Sequence, residues 1–571
     1  MTRGQAPSPS RRAVLRHAAI LGAAAWAPAF RFGTEAENSC PDLPGFPSEI
    51  ERWRQAYANW SGQIVVDDVW TCAPRTSQDI LDLADWAAAS GHRLRPQGAS
   101  HGWSPLIMSG SESCREPVVL VSTRDHLTGM SWVAGSPGQV RVEPGASLEQ
   151  LLGFLGAAGF GFANTPAIGE ITVGGMLAIG AHGTSVPTAG DGDPIVSHGS
   201  ICDRVVSITV VGWARTIGRH RLVTIPRHSP AAHATIASLG RCFVTEVVLQ
   251  GEPDNRLRCV SRLDIEAAEL FAPPEKGGRS LSSFLDQSGR VEAIWFPFTE
   301  RPWVKIWEIA PTRPLTSRPT NGPYNYPFAD NIPKELSDLA TLAVTGHPEV
   351  APVMGQMMLA ATVAGLTTSA SWDLWGPSRD LLLYTKASTM RARALGHVVL
   401  ARRADVQRVL HGLWQEYEKV IEEHQARDEF PINMPVEVRV TGLDAGNAIT
   451  SAATVPALSP LAPVKGRPEL DTAVYFNSLS LTGTPGLDAA WAQLERALVR
   501  RFGGSGTVIR PEWSKGWAHG DSGAWTDEGA LRGWIPDGFG RGAWARAVQS
   551  LDRLDPHGVF SNPFLDGLLA A

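Results

Sequence analysis

Apolar and polar positions follow two different periods along this chain. Between residues 60 and 250, short apolar runs of strand length occur at Gln63–Asp67 with Val69–Thr71, His92–Pro96, Val118–Ser122, Asp203–Val211 and Phe243–Gln250. They alternate with stretches whose apolar residues recur every three or four positions, as on one face of a helix. Thr76–Ala89 is the clearest of these, with Ile80, Leu81, Leu83, Ala84, Ala87 and Ala88 in register and Ser77 as its cap. Val140–Glu149 reads as a strand and turn, followed by a helix from Ser147 to Ala158. Residues 41–60, a mixture that includes Glu51, Trp53, Tyr57 and Trp60, read as a short helix and loop.

Past residue 252 the texture changes. Val291–Phe298, Trp303–Ile309, Pro435–Val440 and Asp471–Ser478 alternate as strands, and Asp405–His424 is an amphipathic helix. Pro311–Pro333, rich in Pro, Asn and Tyr, reads as a long loop, and the tail Leu551–Leu565 reads as loop-rich. Val353–Ala370 is nearly all apolar or small. Gln356, the hydroxyls of Thr362, Thr367, Thr368 and Ser369, and nearby glycine and proline breaks favour a buried helix over a membrane span. The pattern predicts an α+β protein in which residues 41–252 form one domain and 253–545 an antiparallel sheet flanked by helices. Residues 546–571 form a closing segment.

Composition narrows the reading. A chain of 571 residues exceeds one core, so two large units are expected. A net charge of −6 gives no electrostatic case for nucleic acid as a partner. The 20 tryptophans suit either ordinary core or a wide site for a flat apolar ligand. Six cysteines (Cys40, Cys72, Cys114, Cys202, Cys242 and Cys259) show no CxxC spacing, so no metal is expected, while one or two disulfides stay open. The N-terminus, Ser10-Arg-Arg-Ala-Val-Leu-Arg16 followed by the apolar run Ala18–Ala27, is a twin-arginine signal with a cleavage site after Ala29. Residues 1–29 are therefore set apart from the fold, and a secreted or periplasmic location is expected.

Candidate chemistry concentrates in two glycine-rich stretches. Arg95-Pro-Gln-Gly-Ala-Ser-His-Gly-Trp-Ser-Pro105 reads as a strand end and tight loop, in which Gly98 and Gly102 allow positive φ and close backbone approach. Successive amides of such a loop can form a nest for phosphate. His101 in it could be a base, a metal ligand, a covalent tether or merely a satisfied turn histidine. Asn164–Thr184 carries Gly169, Gly174, Gly175, Gly180 and Gly183, and Gly174-Gly175 open a helix whose free amides would attract phosphate oxygens.

Together the two loops resemble the flavin-binding domain of the vanillyl-alcohol oxidase family. The resemblance implies a two-lobed FAD-binding domain over 41–252 with the cap inserted at 253–545. It implies that His101 bonds covalently to the flavin. Gln97, Gly98, Ala99, Ser100, Gly102, Ser104 and Pro105, then Pro166, Gly169, Thr172, Gly174, Gly175, Ala178, Gly180, His182 and Gly183, would hold the cofactor. Val244, on the strand edge Arg241–Glu246, would close over the adenine half. Asn562 belongs to the tail that returns to this domain.

Glu437 and Arg439 lie two apart on a strand, so their side chains share a face. An exposed ion pair is the simple reading, but Val436, Val438 and Val440 suggest that the other face is buried in the core. Glu292, between Val291 and Trp295, would be costly to bury without a partner, and Arg439 is the natural one. Val291–Phe298, Gly322–Asn331, Glu437-Val-Arg439, Tyr475–Ser478 and the His101 loop resemble the bacterial cholesterol oxidases with covalently bound FAD. That likeness makes Glu437 the base at the reacting hydroxyl, Arg439 its partner, and Glu292 a gate with Arg439 on a path for dioxygen. It places Asn477 close to flavin and substrate. Glu292 is assigned as the gate in preference to Glu308 because its strand context matches better.

The expected function is a secreted flavin oxidase. It converts a 3-hydroxysteroid to the ketone, with isomerisation to the 4-en-3-one, and reduces dioxygen to hydrogen peroxide. Transient contact with a membrane surface to extract sterol is also expected. An alditol or aldonolactone oxidase of the same fold is the alternative, as is a flavin carrier without turnover, although the Glu437, Arg439 and Glu292 set argues against the latter.

Overall fold

The computed structural model describes residues 41–112, 117–188, 196–326, 333–386, 391–444, 454–504 and 506–570. The twin-arginine segment, Cys40, Cys114 and residues 327–331 lie outside these. Cys72, Cys202, Cys242 and Cys259 are buried free thiols.

The first lobe is built on a four-stranded sheet of β1 (Glu51–Ala58), β2 (Val65–Ala73), β3 (Arg93–Gln97) and β4 (Val118–Ser122), in the order β1-β2-β4-β3. β1 is antiparallel to β2, whereas β2, β4 and β3 run parallel. The helix and loop expected before residue 60 is instead this edge strand. Its inward positions, Trp53, Gln55 and Tyr57, alternate, but one is polar, which weakens the period-two signal. α1 (Ser77–Ser90) crosses between β2 and β3. Its cap is Thr76 and not Ser77: the Thr76 hydroxyl accepts from Asp79 N and the Asp79 carboxylate returns the bond.

The second lobe is an antiparallel sheet of β5 (Met130–Trp132), β6 (Gln139–Val142), β7 (Val205–Ala214), β8 (Arg219–Pro226) and β9 (Val244–Gln250), ordered β5-β6-β9-β7-β8. Here β8 is an element with no counterpart among the expected strands. α2 (Leu148–Gly156), capped by Ser147, and the short α3 (Val173–Ile179), capped by Thr172, pack into its core.

The cap is a nine-stranded sheet of β10 (Arg256–Arg262), β11 (Arg290–Trp295), β12 (Trp303–Ile309), β13 (Arg318–Pro319), β14 (Asp373–Pro377), β15 (Arg393–Ala401), β16 (Val436–Gly442), β17 (Thr472–Ser480) and β18 (Val508–Pro511). The order is β13-β14-β10-β12-β11-β16-β17-β15-β18. Its pairs are antiparallel except β13 with β14. α4 (Lys334–Val344) and α5 (Ala351–Thr368) lie between β13 and β14, and α6 (Val406–Gln425) and α7 (Leu487–Phe502) cover one face of the sheet. Val436, Val438 and Val440 share a buried cluster with Leu410 and Leu413 of α6 and Trp491 of α7, so the opposite face carries Glu437 and Arg439. α5 is not the buried helix expected at 353–370. Met354, Met358 and Leu366 face inward, while Val353, Ala360 and Val363 are exposed.

The expected loop-rich tail contains two helices, α8 (Arg541–Leu554) and α9 (Pro563–Leu569). Packing against the second lobe begins well before residue 546, because Trp513, Trp517, Ile535 and Phe539 share its cluster with Leu551 and Leu565. Asn562 caps α9, accepting from Leu565 N, and its amide donates to the carbonyls of Pro105 at 2.9 Å and Ile107 at 3.2 Å. Arg95, 1% exposed, donates to the carbonyls of Leu106, Ile107, Gly240 and Phe560. These bonds lock the tail onto the loop that follows β3.

Candidate active site

The loop after β3 and the start of α3 touch. A Cβ built on Gly98 would sit 2.2 Å from Oγ1 of Thr172, and one on Gly174 would sit 2.9 Å from Cβ of Pro144. Thr172 Oγ1 also accepts from Gly175 N at 3.3 Å, capping α3. Gly98 is thus required by close approach and not by its φ. Neither Gly98 nor Gly102 adopts positive φ. The left-handed residue of the loop is Ser100, at φ 51°, whose hydroxyl accepts from Nε2 of Gln97 at 3.1 Å. Gly98→Ala should force these loops apart, an overpacking cost of about 1–3 kcal/mol. Purified G98A is expected to carry less flavin per protein, read as the ratio of visible to ultraviolet absorbance.

These loops enclose a cavity of about 320 Å³ whose opposite wall is the cap sheet. Gly98, Ala99, Ser100, His101, Gly102 and Ser104 line it from the first loop. Pro166, Thr172, Gly174, Gly175, Ala178, Gly180, His182 and Val244 line it from the second lobe, and Glu437 and Arg439 from the cap. Gln97, Pro105, Gly169, Gly183 and Asn562 are not on its wall. Gly169 packs on Glu149, Gly183 packs on the Thr165 carbonyl and Asn164, and Asn562 serves as the clamp described above. They support the cradle from behind.

The His101 ring stacks on Trp60, with centroids 3.7 Å apart and planes 24° apart, and meets Trp103 edge-on. Burial, reinforced by the Lys515 and Arg391 cations, lowers its pKa to about 3. The imidazole is therefore neutral at ordinary pH, with one ring nitrogen carrying a free lone pair. Its face is fixed by Trp60, so it presents an edge to the cavity.

On the cap wall, strand register builds a transverse row. Lys305 on β12 pairs with Glu292 on β11, Glu292 with Arg439 on β16, and Arg439 with Tyr475 on β17. Directly opposed residues lie within side-chain reach. Glu292, 0% exposed, lies 2.6 Å from Nζ of Lys305 and 2.6 Å from Nη2 of Arg439, and accepts from the Tyr384 hydroxyl at 2.7 Å. Burial alone would raise its pKa, but Arg439 and Lys305 outweigh that and hold it low. Nη2 of Arg439 also donates to Glu437 at 3.0 Å. Burial works against the guanidinium charge, yet Glu292 and Glu437 together push its pKa well up. Lys305, Glu292, Arg439 and Glu437 thus alternate in sign and sum to zero charge.

Glu292 stands behind the cavity wall and reaches it through Arg439. Glu308 is half exposed and bound to Arg258, three residues beyond Lys305 on β12 and so on the opposite face of the sheet, and the carboxylate beside Arg439 is Glu292. Asn477 lies opposite Glu437 across β16 and β17. It is 0% exposed, is not on the cavity wall, and neither of its amide atoms has a hydrogen-bond partner among the described residues.

Sequence reasoning did not single out several wall residues for a role in the site. Trp60 supports His101, Tyr475 stacks on His182 at 3.4 Å, and Glu512 lies 3.8 Å from His182. Lys515 stands with Nζ 3.6 Å from the Trp103 ring centroid. Burial raises the Glu512 pKa, but the neighbouring His182 ring and Lys515 bring it down to about 2. Burial lowers that of Lys515. Two charged residues in the Trp-rich run Glu512-Trp-Ser-Lys-Gly-Trp517 were the available signal.

The cradle suits FAD. It offers backbone amides from two loops in contact, no room for a side chain at Gly98, and a neutral imidazole. Beside it the cap supplies a chamber with an acid–base pair.

Residues 256–570 match the family model "Cholesterol oxidase, substrate-binding", and residues 70–214 match "FAD binding domain". The chain belongs to the cholesterol oxidase family. Like the other members of that class, it is an FAD-dependent alcohol oxidase. Two solved cholesterol oxidases share the architecture. A solvent-stable cholesterol oxidase is 42% identical with a TM-score of 0.90, covering 93% of this chain and 100% of its own. The cholesterol oxidase from B. sterolicum is 37% identical with a TM-score of 0.90, at the same coverage. A more distant relative, the L-gulono-1,4-lactone dehydrogenase of Mycobacterium tuberculosis, is 23% identical over 394 residues, 68% of this chain and 78% of its own. The cholesterol oxidase fold thus carries the expected α+β architecture of FAD domain and substrate domain.

Proposed function

We propose that this cholesterol oxidase family member oxidises the 3-hydroxyl of cholesterol-like sterols to the ketone. The proposal includes isomerisation to the 4-en-3-one, delivery of the electrons to dioxygen as hydrogen peroxide, and FAD attached covalently through His101. It also includes export by the twin-arginine route. The observation that carries the reading is the Glu437–Arg439 pair on the cavity wall, backed by the buried Glu292–Lys305 pair.

FAD, when bound, supplies the hydride acceptor and the route to dioxygen. The rest falls to side chains. Glu437 is the group placed to take the hydroxyl proton, since its carboxylate borders the cavity and remains partly solvated. Arg439 orients that carboxylate through the Nη2 contact. Because one nitrogen, Nη2, contacts both Glu292 and Glu437, a guanidinium rotation that keeps one contact loses the other. This pair is the proposed gate for dioxygen. Trp60 and Trp103 hold the His101 ring, and Leu479 with Ile168 gives the chamber an apolar surface suited to a sterol.

The lactone-oxidising relative favours a second reading, an oxidase of polyols or aldonolactones. Turnover separates the two. With cholesterol, peroxide is expected to appear one-for-one with the 4-en-3-one, while xylitol and L-gulono-1,4-lactone give little. Faster peroxide formation with either of those would transfer the assignment.

A further inference from the structure

His101 differs from the buried histidines of this chain in what holds it. Each of those, among the described residues, has a carboxylate partner. His220 is held by Asp85 at 2.8 Å, His424 by Glu429 at 2.7 Å, and His397 and His519 by Glu495 at 2.9 and 3.1 Å. Neither ring nitrogen of His101 has a hydrogen-bond partner among the described residues. Its ring is oriented by aromatic contact, with Trp60 on its face and Trp103 at its edge.

Trp60 is itself anchored to the loop it supports. It lies in the turn between β1 and β2, and its backbone N–H donates to the Gly102 carbonyl at 3.1 Å. The preceding residue, Asn59, donates through its amide to the Trp103 carbonyl. Both bonds end on residues directly after His101, so the indole and the imidazole belong to one cross-tied unit. Trp103 is fixed in turn, its indole N–H donating to the Ala392 carbonyl and its backbone N–H to the Ser514 carbonyl, each at 2.7 Å. A carboxylate partner would also orient the imidazole, but it would occupy one ring nitrogen and favour the cation. Stacking fixes the ring and leaves both nitrogens unengaged at the cavity wall.

We propose that Trp60 is the positioning residue for covalent attachment of the cofactor, its indole holding the His101 imidazole edge-first toward the flavin methyl carbon without engaging either ring nitrogen. In the attachment a C–N bond forms between one ring nitrogen and that carbon. One methyl C–H bond breaks, and the imidazole gives up its N–H proton. The C–H electron pair and both hydrogens pass to the flavin, and dioxygen takes them off again as hydrogen peroxide. The indole takes no part in these transfers. It supplies orientation, and a misplacement of about 1 Å can cost roughly 10²-fold in rate. The inference rests on the attachment through His101 proposed above, and its test keeps the two apart.

Trp60→Leu and Trp60→Phe both keep apolar bulk behind His101, but only phenylalanine offers a ring face. Each full chain is purified and incubated with excess FAD. Total bound flavin is then read from visible absorbance after free FAD is removed, and tethered flavin from the colour kept by the acid-precipitated protein. Wild type is expected to be tethered throughout. Trp60→Leu should bind FAD in near wild-type amount but attach it about tenfold or more slowly, and Trp60→Phe should recover most of the wild-type rate. Attachment at the wild-type rate in Trp60→Leu, or equal slowing in both variants, overturns the positioning role. So does a loss of total bound FAD in step with the tethered flavin, which would make Trp60 part of the cradle. Wild type that sheds its flavin in acid removes the attachment through His101 itself, whatever the variants do.

Discussion

Glu437→Gln is expected to slow reduction of the bound flavin by cholesterol roughly 10²–10⁴-fold, the range for loss of a positioned proton acceptor. The amide keeps the shape of the carboxylate but cannot take the hydroxyl proton. The stability cost should be small, because Arg439 retains Glu292 at 2.6 Å and its buried charge stays compensated. Sterol affinity, read from the flavin spectrum at substrate concentrations too low for turnover, should change far less than the rate. A loss confined to the chemical step marks an interaction made in the transition state. Equal loss of binding and rate would remove Glu437 from the base role. Glu292→Gln makes the useful contrast. It strands Lys305 and one side of Arg439 in a site that is 0% exposed, so a lower melting temperature is expected alongside any kinetic effect.

His101→Ala is expected to abolish retention of flavin by the denatured protein. Wild-type protein precipitated in acid should stay yellow, whereas the variant should shed its colour into the supernatant. Its fold should survive, since the imidazole contributes mainly a ring stack on Trp60, on the order of 0.5–1.5 kcal/mol. Turnover should fall without vanishing. The Glu437–Arg439 pair is untouched, while the proposed tether, which would raise the flavin's potential, is gone. Flavin retained on the denatured variant would place the attachment elsewhere.

The glycine loops could be read from sequence because close backbone approach demands glycine whatever the tertiary context, as at Gly98 against Thr172. Glu437 and Arg439 were legible because a two-residue spacing on a strand fixes a shared face. The pairing of Glu292 with Arg439 was anticipated, but the extension of that row to Lys305 and Tyr475 was not. It depends on the register of four strands far apart in the chain, which local pattern does not encode. Lys305 in particular sits among Val304, Ile306 and Trp307, where a lysine reads as a polar interruption, although it is the buried cation that makes Glu292 tolerable. Ser100 was missed as the left-handed residue because glycines flank it and draw the expectation of positive φ. α9 carried a usable signal, Asn562 as cap and Pro563 as first helical residue, hidden by the turn-rich run before it. The bare face of α5 was misjudged because an apolar stretch shows how much surface wants to leave water, and not what covers it.

The most direct test of the assignment is an anaerobic titration of the purified holoprotein with cholesterol, following the visible absorbance of its flavin. One equivalent of cholesterol should bleach the flavin and leave the ketone, with excess xylitol or L-gulono-1,4-lactone having little effect. A flavin that stays oxidised with cholesterol and bleaches with the sugar compounds would contradict the assignment of this cavity to sterol oxidation.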